Sequence, residues 1–176
     1  MANDNTIWLE GSERCADNWS SISRDSRTWV YLADRALNEN EAMHFSQSLN
    51  RFMVDWEAHG KTLSAGWRMC GNRLLFIAVD ESTAPATGCS IDSSVTFLQR
   101  ATKDWGVPID WFDRQSNIYK EGDAWKQAAN AEFWALRKAN HIKDDTKLVN
   151  VVFSEKGSCW GQVVIPFDSS WHADMW

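Results

Sequence analysis

The chain has 176 residues, 44% of them hydrophobic and 24% charged, which is the composition of one globular domain rather than of a disordered chain. Its formal net charge of -6 argues against non-specific nucleic-acid binding, because that binding depends on an excess of Lys and Arg. No apolar run approaches the ~20 residues that span a bilayer, and the acidic N-terminus does not resemble a signal peptide. We therefore expect a cytoplasmic protein without a membrane span.

The cysteines carry no metal or redox motif. They are Cys15, Cys70, Cys89 and Cys159, and no two of them form a C-x-x-C pair. This spacing excludes a zinc ribbon and a thioredoxin motif, so we expect four free thiols, mostly buried. No cofactor is predicted.

Residues 1–27 are polar and lack sustained periodicity, which predicts an N-terminal extension that packs loosely ahead of a single α+β domain over 28–176. Thr28–Leu32 has the β-branched and aromatic composition of a strand. Asn38 and Glu41 have the spacing of a capping box, and apolar residues then recur at helical spacing as far as Trp56. We expect this helix to include His59 and to be closed by Gly60, just past its end.

Leu63–Cys70 alternates apolar and small or polar residues, which predicts a strand. Gly71-Asn72 is a hairpin signal, and Arg73–Asp80 is apolar on both faces, as in a central strand. Ser90 is the expected N-cap of a second helix, whose apolar stripe ends before Gly106 and Pro108.

Ile109–Phe112 and Ile118–Tyr119 have the composition of one strand or of two short ones. The resulting order β-α-β-β-α-β predicts a ferredoxin-like core. A C-terminal extension follows: a helix over 130–138, a strand over 148–153, a turn over 155–158 and a strand over 163–165.

The composition is unusual in its aromatic residues, because the chain has 12 Trp and 2 Tyr. Trp56, Trp67 and Trp105 fall on predicted buried faces. The Trp residues without such an assignment are Trp111, Trp125, Trp134, Trp160, Trp171 and Trp176. Core packing is the simplest interpretation, and the alternative is an open groove in which flat rings stack on a ligand.

Gly60-Lys61-Thr62 ends like a P-loop, but the pattern requires Gly where the chain has Asp55. The order of elements is also reversed, because a P-loop follows a strand and opens a helix. We therefore interpret these residues as a helix end.

Gly88–Ser94 is the segment with the most chemical character, because it places Cys89 directly before a predicted helix N-terminus, where anions and thiolates are favoured. His59 and Asp80 end neighbouring elements, so a nucleophile, base and orienting acid are conceivable. A structural cap and an anion site are the alternatives. The candidate ligand-binding residues are Cys89, Ser90, Asp92, Ser93, Asp113 and Arg114.

A metal site would have to recruit the hard ligands Asp80, Glu81, Asp92, Asp113 and His59. No D-x-D-x-D-G loop or H-E-x-x-H motif is present, so no metal site is predicted. His172, next to the chain end, has no visible partner in the sequence.

Six stretches, spread over residues 24–172, resemble a family of small bacterial proteins that are often labelled "ABC transporter ATPase". They are Arg27–Tyr31, Trp56–Lys61, Val79–Glu81, Gly88–Val95, Phe112–Arg114 and Ser170–His172, of which Gly88–Val95 is the most specific. The resemblance implies a nucleotide-binding ATPase by label. Because the chain contains no Walker A motif, this function is the disfavoured alternative, and the resemblance adds candidate positions rather than a mechanism.

The sequence thus favours a non-enzymatic, soluble domain that binds a small ligand or a protein partner, with a homo-oligomer as a further possibility. The main alternative is a thiol-dependent hydrolase or transferase that uses Cys89 with His59 or Asp80.

Overall fold

The computed structural model describes residues 13–152 and 163–176, which form an α+β architecture. The strands are β1 (Glu13–Cys15), β2 (Arg27–Leu32), β3 (Glu57–Ala58), β4 (Lys61–Thr62), β5 (Ser64–Cys70), β6 (Leu74–Asp80), β7 (Ser116–Glu121), β8 (Ala124–Ala129), β9 (Lys147–Val149) and β10 (Val164–Pro166). The helices are α1 (Glu39–Asp55), α2 (Gly88–Arg100), α3 (Asn130–Lys138) and α4 (Trp171–Asp174). None of these helices is long and apolar enough to cross a membrane.

The first sheet has the antiparallel order β1-β5-β6-β2, and its interior strand β6 is buried on both faces. Leu75 and Ile77 pack into one core cluster together with residues of α1 and α2. Leu74 and Phe76, which point to the opposite face, pack into a second cluster with residues of the second sheet. The prediction of a central strand that is apolar on both faces is confirmed.

The second sheet has the order β10-β9-β7-β8, and it too is covered on both sides. Ile118 and Val149 face the first sheet, whereas Tyr119 and Leu148 pack against Phe133 of α3 in a third cluster. The described residues therefore form four layers: helices, sheet, sheet, and the helices of the C-terminal half.

The ferredoxin-like core is not confirmed, although β2, α1, β5, β6 and α2 follow the order β-α-β-β-α, with the short β3–β4 hairpin inserted after α1. The expected closing strand over Ile109–Phe112 contributes one bridge, between Phe112 and Leu32. Asp110 instead hydrogen-bonds to Asp34, through both its backbone N–H and its carbonyl. The strand expected at Ile118–Tyr119 belongs to β7, in the second sheet.

The capping box of α1 is present as predicted: Asn38 accepts from the backbone of Glu41, and the Glu41 side chain accepts from the backbone of Asn38. The hairpin between β5 and β6 is also confirmed, with Gly71 and Asn72 at positive φ of 57° and 50°. Both features are encoded within a few residues of sequence.

Two helix boundaries differ from their predictions. Helix α1 ends at Asp55, and His59 and Gly60 form the turn of the β3–β4 hairpin at φ of 53° and 73°. Gly60 is therefore not a helix cap, and His59 is an exposed turn residue. The N-cap of α2 is Thr87, with Ser90 as the third helical residue of its capping box.

Helix α3 has the predicted bounds, but strand β8 beside it was not expected. Its sequence, Ala-Trp-Lys-Gln-Ala-Ala, has low intrinsic strand propensity, and pairing with β7 over six residues overrides that preference. The strand predicted over 148–153 is observed as Lys147–Val149. Phe153, Trp160, Cys159 and the turn at 155–158 lie outside the described residues.

Residues 13–26 are packed against the first sheet. Strand β1 pairs with β5, and Asn18 Nδ2 donates to the Ala65 carbonyl at 2.9 Å. A Cβ at Gly66 would lie 3.1 Å from both Asn18 Oδ1 and Ile22 Cγ1, so glycine permits this close approach. This part of the predicted extension is integrated into the fold, while residues 1–12 are not described.

The reciprocal cap of α1 gives a direct stability prediction. Asn38→Ala should lower the free energy of unfolding by ~1 kcal/mol, because the Glu41 N–H loses its acceptor, whereas Asn38→Gly should lower it by only a few tenths. Urea unfolding followed by circular dichroism measures both. Equal stability of the wild type and the Ala variant would contradict the capping role.

Candidate ligand-binding site

A pocket of about 390 Å³ lies at the seam between the two sheets, beside the edge strand β2. Its lining comes from four separate parts of the chain: Val30, Tyr31, Leu32, Trp111, Phe112, Asp113, Arg114, Ser116, Asn117, Val149, Val151, Val152, Trp171 and His172. Strand β2 borders the pocket because, among the described residues, its free edge forms a single bridge, to Phe112. The seam is therefore open where a further strand would otherwise continue the sheet.

The walls of the pocket are mainly aliphatic and aromatic. The rings of Tyr31 and Phe112 meet edge to face at 5.6 Å, and Trp111 stacks on Phe45 of α1 at 4.8 Å. Burial raises the pKa of Tyr31 to about 12, so this residue contributes an uncharged phenol. Such walls favour the apolar body of a ligand.

A chain of polar side chains runs from the buried pocket residues His172 and Asn117 to Asn130 and the exposed Gln115. Asn117 Nδ2 donates to Asn130 Oδ1 at 2.8 Å, which leaves Asn117 Oδ1 to accept from His172 Nε2 at 2.9 Å. Asn130 Nδ2 in turn donates to Gln115 Oε1 at 3.2 Å. The orientation of each amide is thus fixed by its neighbour, and the His172 proton is assigned to Nε2.

The second ring nitrogen of His172 is also engaged. Nδ1 lies 3.1 Å from Ser170 Oγ, whose hydroxyl is 2.7 Å from the Phe167 carbonyl. Because a hydroxyl carries one proton, Ser170 can donate either to Nδ1 or to that carbonyl. Trp171 stacks on the imidazole at 3.9 Å and covers its face.

Burial determines the charge of His172. Its side chain is 3% exposed, and the loss of hydration lowers its pKa from 6.5 to about 4. The imidazole is therefore neutral near pH 7. Its ordering by Asn117 and Ser170 makes it part of the wall of the pocket rather than a free base.

Two charged residues of the pocket differ in their surroundings. Asp113 Oδ1 accepts from the backbone N–H of Gln115 at 2.8 Å, and the Asp113 carboxylate acts on Arg73. Burial lowers the pKa of the Arg73 guanidinium, and the charges of Asp113 and Asp34 oppose that shift. Arg114 is exposed, and its guanidinium forms no ion pair or hydrogen bond within the described ranges.

The polar residues predicted around Gly88–Ser94 serve mainly the cap and packing of α2. Ser90 exchanges hydrogen bonds with Thr87, and Trp56 Nε1 donates to the Ser90 carbonyl at 2.8 Å and to Ser93 Oγ at 3.1 Å. Asp92 and Cys89 are exposed. None of these four predicted ligand-binding residues lines the pocket, whereas Asp113 and Arg114 do.

The candidate catalytic residues are not connected to one another. Asp80 Oδ1 accepts from the backbone of Ser82 at 3.0 Å, which lowers the pKa of Asp80, and His59 is an exposed turn residue. No hydrogen bond or ion pair within residues 13–152 and 163–176 joins either of them to Cys89. The same part of the chain holds no group of three His, Cys, Asp or Glu suited to a metal ion.

Sequence reasoning missed Asn117 and the role of His172. His172 and Asn117 are 55 residues apart, so no local spacing indicates their contact. The signal available in the sequence was Ser170-Trp171-His172, in which two polar side chains flank an aromatic one. Of the unassigned Trp residues, Trp111 and Trp171 line the pocket, in keeping with the alternative of a Trp-lined groove.

No protein-family model matches the sequence, no curated protein matches it, and no solved structure matches the chain. The chemistry of the pocket is inferred from the side chains that line it.

Acidification should destabilise the protein through His172. Below pH 6.5 the unfolded imidazole binds a proton that the folded one takes up only near pH 4, so the unfolding free energy falls across this window. The loss should be roughly 1–3 kcal/mol. Urea titrations at pH 7, 5.5 and 4.5 measure the unfolding free energy. The loss that arises from His172 should appear in the wild type and in His141→Gln, in which an exposed histidine is replaced as a control, but not in His172→Gln. The same pH dependence in all three would contradict it.

Thiol accessibility should separate the described cysteines. Cys15 and Cys89 are exposed, contrary to the expectation of mostly buried thiols, whereas Cys70 is 2% exposed. Iodoacetamide should label Cys15 and Cys89 in the folded protein and Cys70 only after unfolding, as quantified by peptide mass spectrometry. Cys89→Ser should change stability by less than ~0.5 kcal/mol, because the thiol contributes nothing to the cap. A misfolded variant would contradict this assignment.

Proposed function

We propose that the protein is a non-enzymatic binding domain that holds a small ligand in the pocket between the two sheets. One observation carries this proposal: an apolar cavity of about 390 Å³ ends on an ordered polar network. Ligand pockets of ~300–1,000 Å³ commonly combine apolar walls with a few fixed polar groups. The size of this cavity favours a compact ligand.

The state of His172 supports binding rather than catalysis. The hydroxyl next to its Nδ1 belongs to Ser170, which is 4% exposed, lies 2.7 Å from the Phe167 carbonyl and does not line the pocket, while Nε2 is bound to Asn117. The exposed thiols Cys15 and Cys89 do not line the pocket. A reaction of Cys89 would therefore have to take place outside the pocket, and no described residue supplies a base hydrogen-bonded to its thiol.

The family and finer fold assignments belong to this proposal as well. From the six matching stretches, we propose that the chain is related to the small bacterial proteins often labelled "ABC transporter ATPase". We also propose that β2 to α2 is a ferredoxin-like unit that lacks its fourth strand, because Phe112 joins Leu32 through one parallel bridge rather than through an antiparallel strand. Neither assignment adds a nucleotide site, because the P-loop pattern lacks its first glycine at Asp55.

Filling the pocket should abolish ligand binding. Val152 lines the pocket and is 49% exposed, so Val152→Trp can occupy the mouth without overpacking the core. Val54→Trp is the matched control, because Val54 is an exposed valine of α1 remote from the pocket lining. Nitrogen-15 NMR with a fragment library measures binding to each protein.

We expect fragments that shift pocket resonances in the wild type and in Val54→Trp but not in Val152→Trp. Fragments that bind all three proteins equally would place the site elsewhere. A wild-type protein that binds no fragment from a diverse library would overturn the proposed function.

A further inference from the structure

We infer that the pocket selects a small aromatic carboxylic acid, whose ring lies between the apolar walls and whose carboxylate pairs with Arg114. This inference rests on the proposed function, which it makes specific. It follows from an inventory of the polar groups that the protein leaves unpaired at the pocket, because a ligand gains most by satisfying those groups.

The unpaired groups at the pocket are mainly hydrogen-bond donors. The Arg114 guanidinium has no partner within the described ranges, and its planar fork matches a carboxylate. Ser116 Oγ accepts from Gln127 Nε2 at 2.9 Å but donates to no described residue. Trp111 is 1% exposed, and its Nε1–H, buried in the wall, has no acceptor among the described residues.

Two acceptors at the pocket are already engaged. Asn117 Oδ1 takes the proton of His172 Nε2, and Asp113 Oδ1 takes the backbone N–H of Gln115. The Asp113 charge also interacts with the Arg73 guanidinium. A surplus of free donors therefore calls for a ligand that brings acceptors, which is the property of a carboxylate.

The rest of the lining defines the body of the ligand. Val30, Leu32 and Val149 supply an aliphatic surface from both sheets. Trp171 is 37% exposed and is held flat against His172, so its indole is a fixed surface on which a ring can stack. These features favour a flat apolar group over a sugar or a flexible polar chain.

The charge at the pocket favours a monoanion. Among the described residues of the lining, Arg114 is the one cation without a partner, and His172 is neutral near pH 7. A polyphosphate would place several charges against a single guanidinium and beside the Asp113 carboxylate. A cationic ligand could pair with Asp113 only next to the like charge of Arg114.

The test compares 3-phenylpropionate with its uncharged analogue 3-phenylpropionamide, by isothermal titration calorimetry and by NMR shifts of pocket residues. The wild type should bind the acid at least ~10-fold more tightly than the amide, since a charge-assisted hydrogen bond exceeds a neutral one. Arg114→Gln should remove this preference, and Arg114→Lys should retain part of it. Asp113→Asn, which keeps the acceptor to Gln115 and removes the like charge, should strengthen binding of the acid.

Arg100→Gln is the matched control, because Arg100 is an exposed arginine of α2 outside the pocket. It should retain the wild-type preference for the acid. Equal affinity of the wild type for acid and amide would overturn the carboxylate inference and leave the pocket function standing. If other fragments bind at the pocket but neither 3-phenylpropionate nor 3-phenylpropionamide does, the carboxylate inference is likewise overturned and the pocket function stands. Only the failure of every fragment would overturn both.

Discussion

The burial of β6 on both faces is the constraint on which the rest of the fold depends. Six consecutive residues, Leu74–Val79, are buried. Each large apolar side chain among them contributes ~1.5–3 kcal/mol only if the face to which it points is covered, so the strand as a whole needs cover on both faces. Two helices cover one face, and the second sheet covers the other. The chain thus needs its C-terminal half to complete the core of its N-terminal half.

The pocket is a consequence of this layered packing. Two twisted sheets that meet face to face separate toward their edges, and β2 ends the first sheet without a full neighbouring strand. The segment that could have supplied that strand is fixed elsewhere, because Trp111 packs on Phe45 and Asp110 bonds to Asp34. The open seam that results is lined by residues of both sheets and closed at one end by the C-terminal segment.

The polar groups of the seam divide into two sets with different roles. Asn130, Asn117 and His172 satisfy one another, which offsets the cost of burying them and orders the C-terminal helix against β7. Arg114, Ser116 and the Trp111 N–H keep donors that no described residue accepts. The first set gives the pocket its shape, and the second is the basis of the ligand preference that we propose.

The sequence by itself determined the local elements: the capping box at Asn38, the Gly71-Asn72 hairpin, the central strand β6 and helix α3. These features depend on contacts within a few residues, so composition and periodicity predict them. Only the tertiary structure decided that β8 pairs with β7, that Ile109–Phe112 leaves the sheet, and that His172 meets Asn117. Those outcomes depend on contacts between segments that are distant in the sequence. The free energy of such pairing and packing outweighs the local preference of each segment, so local propensity does not predict them. Asp113 and Arg114 were candidates from their position in the sequence, but only the packing of the layers places both of them in the lining of the pocket.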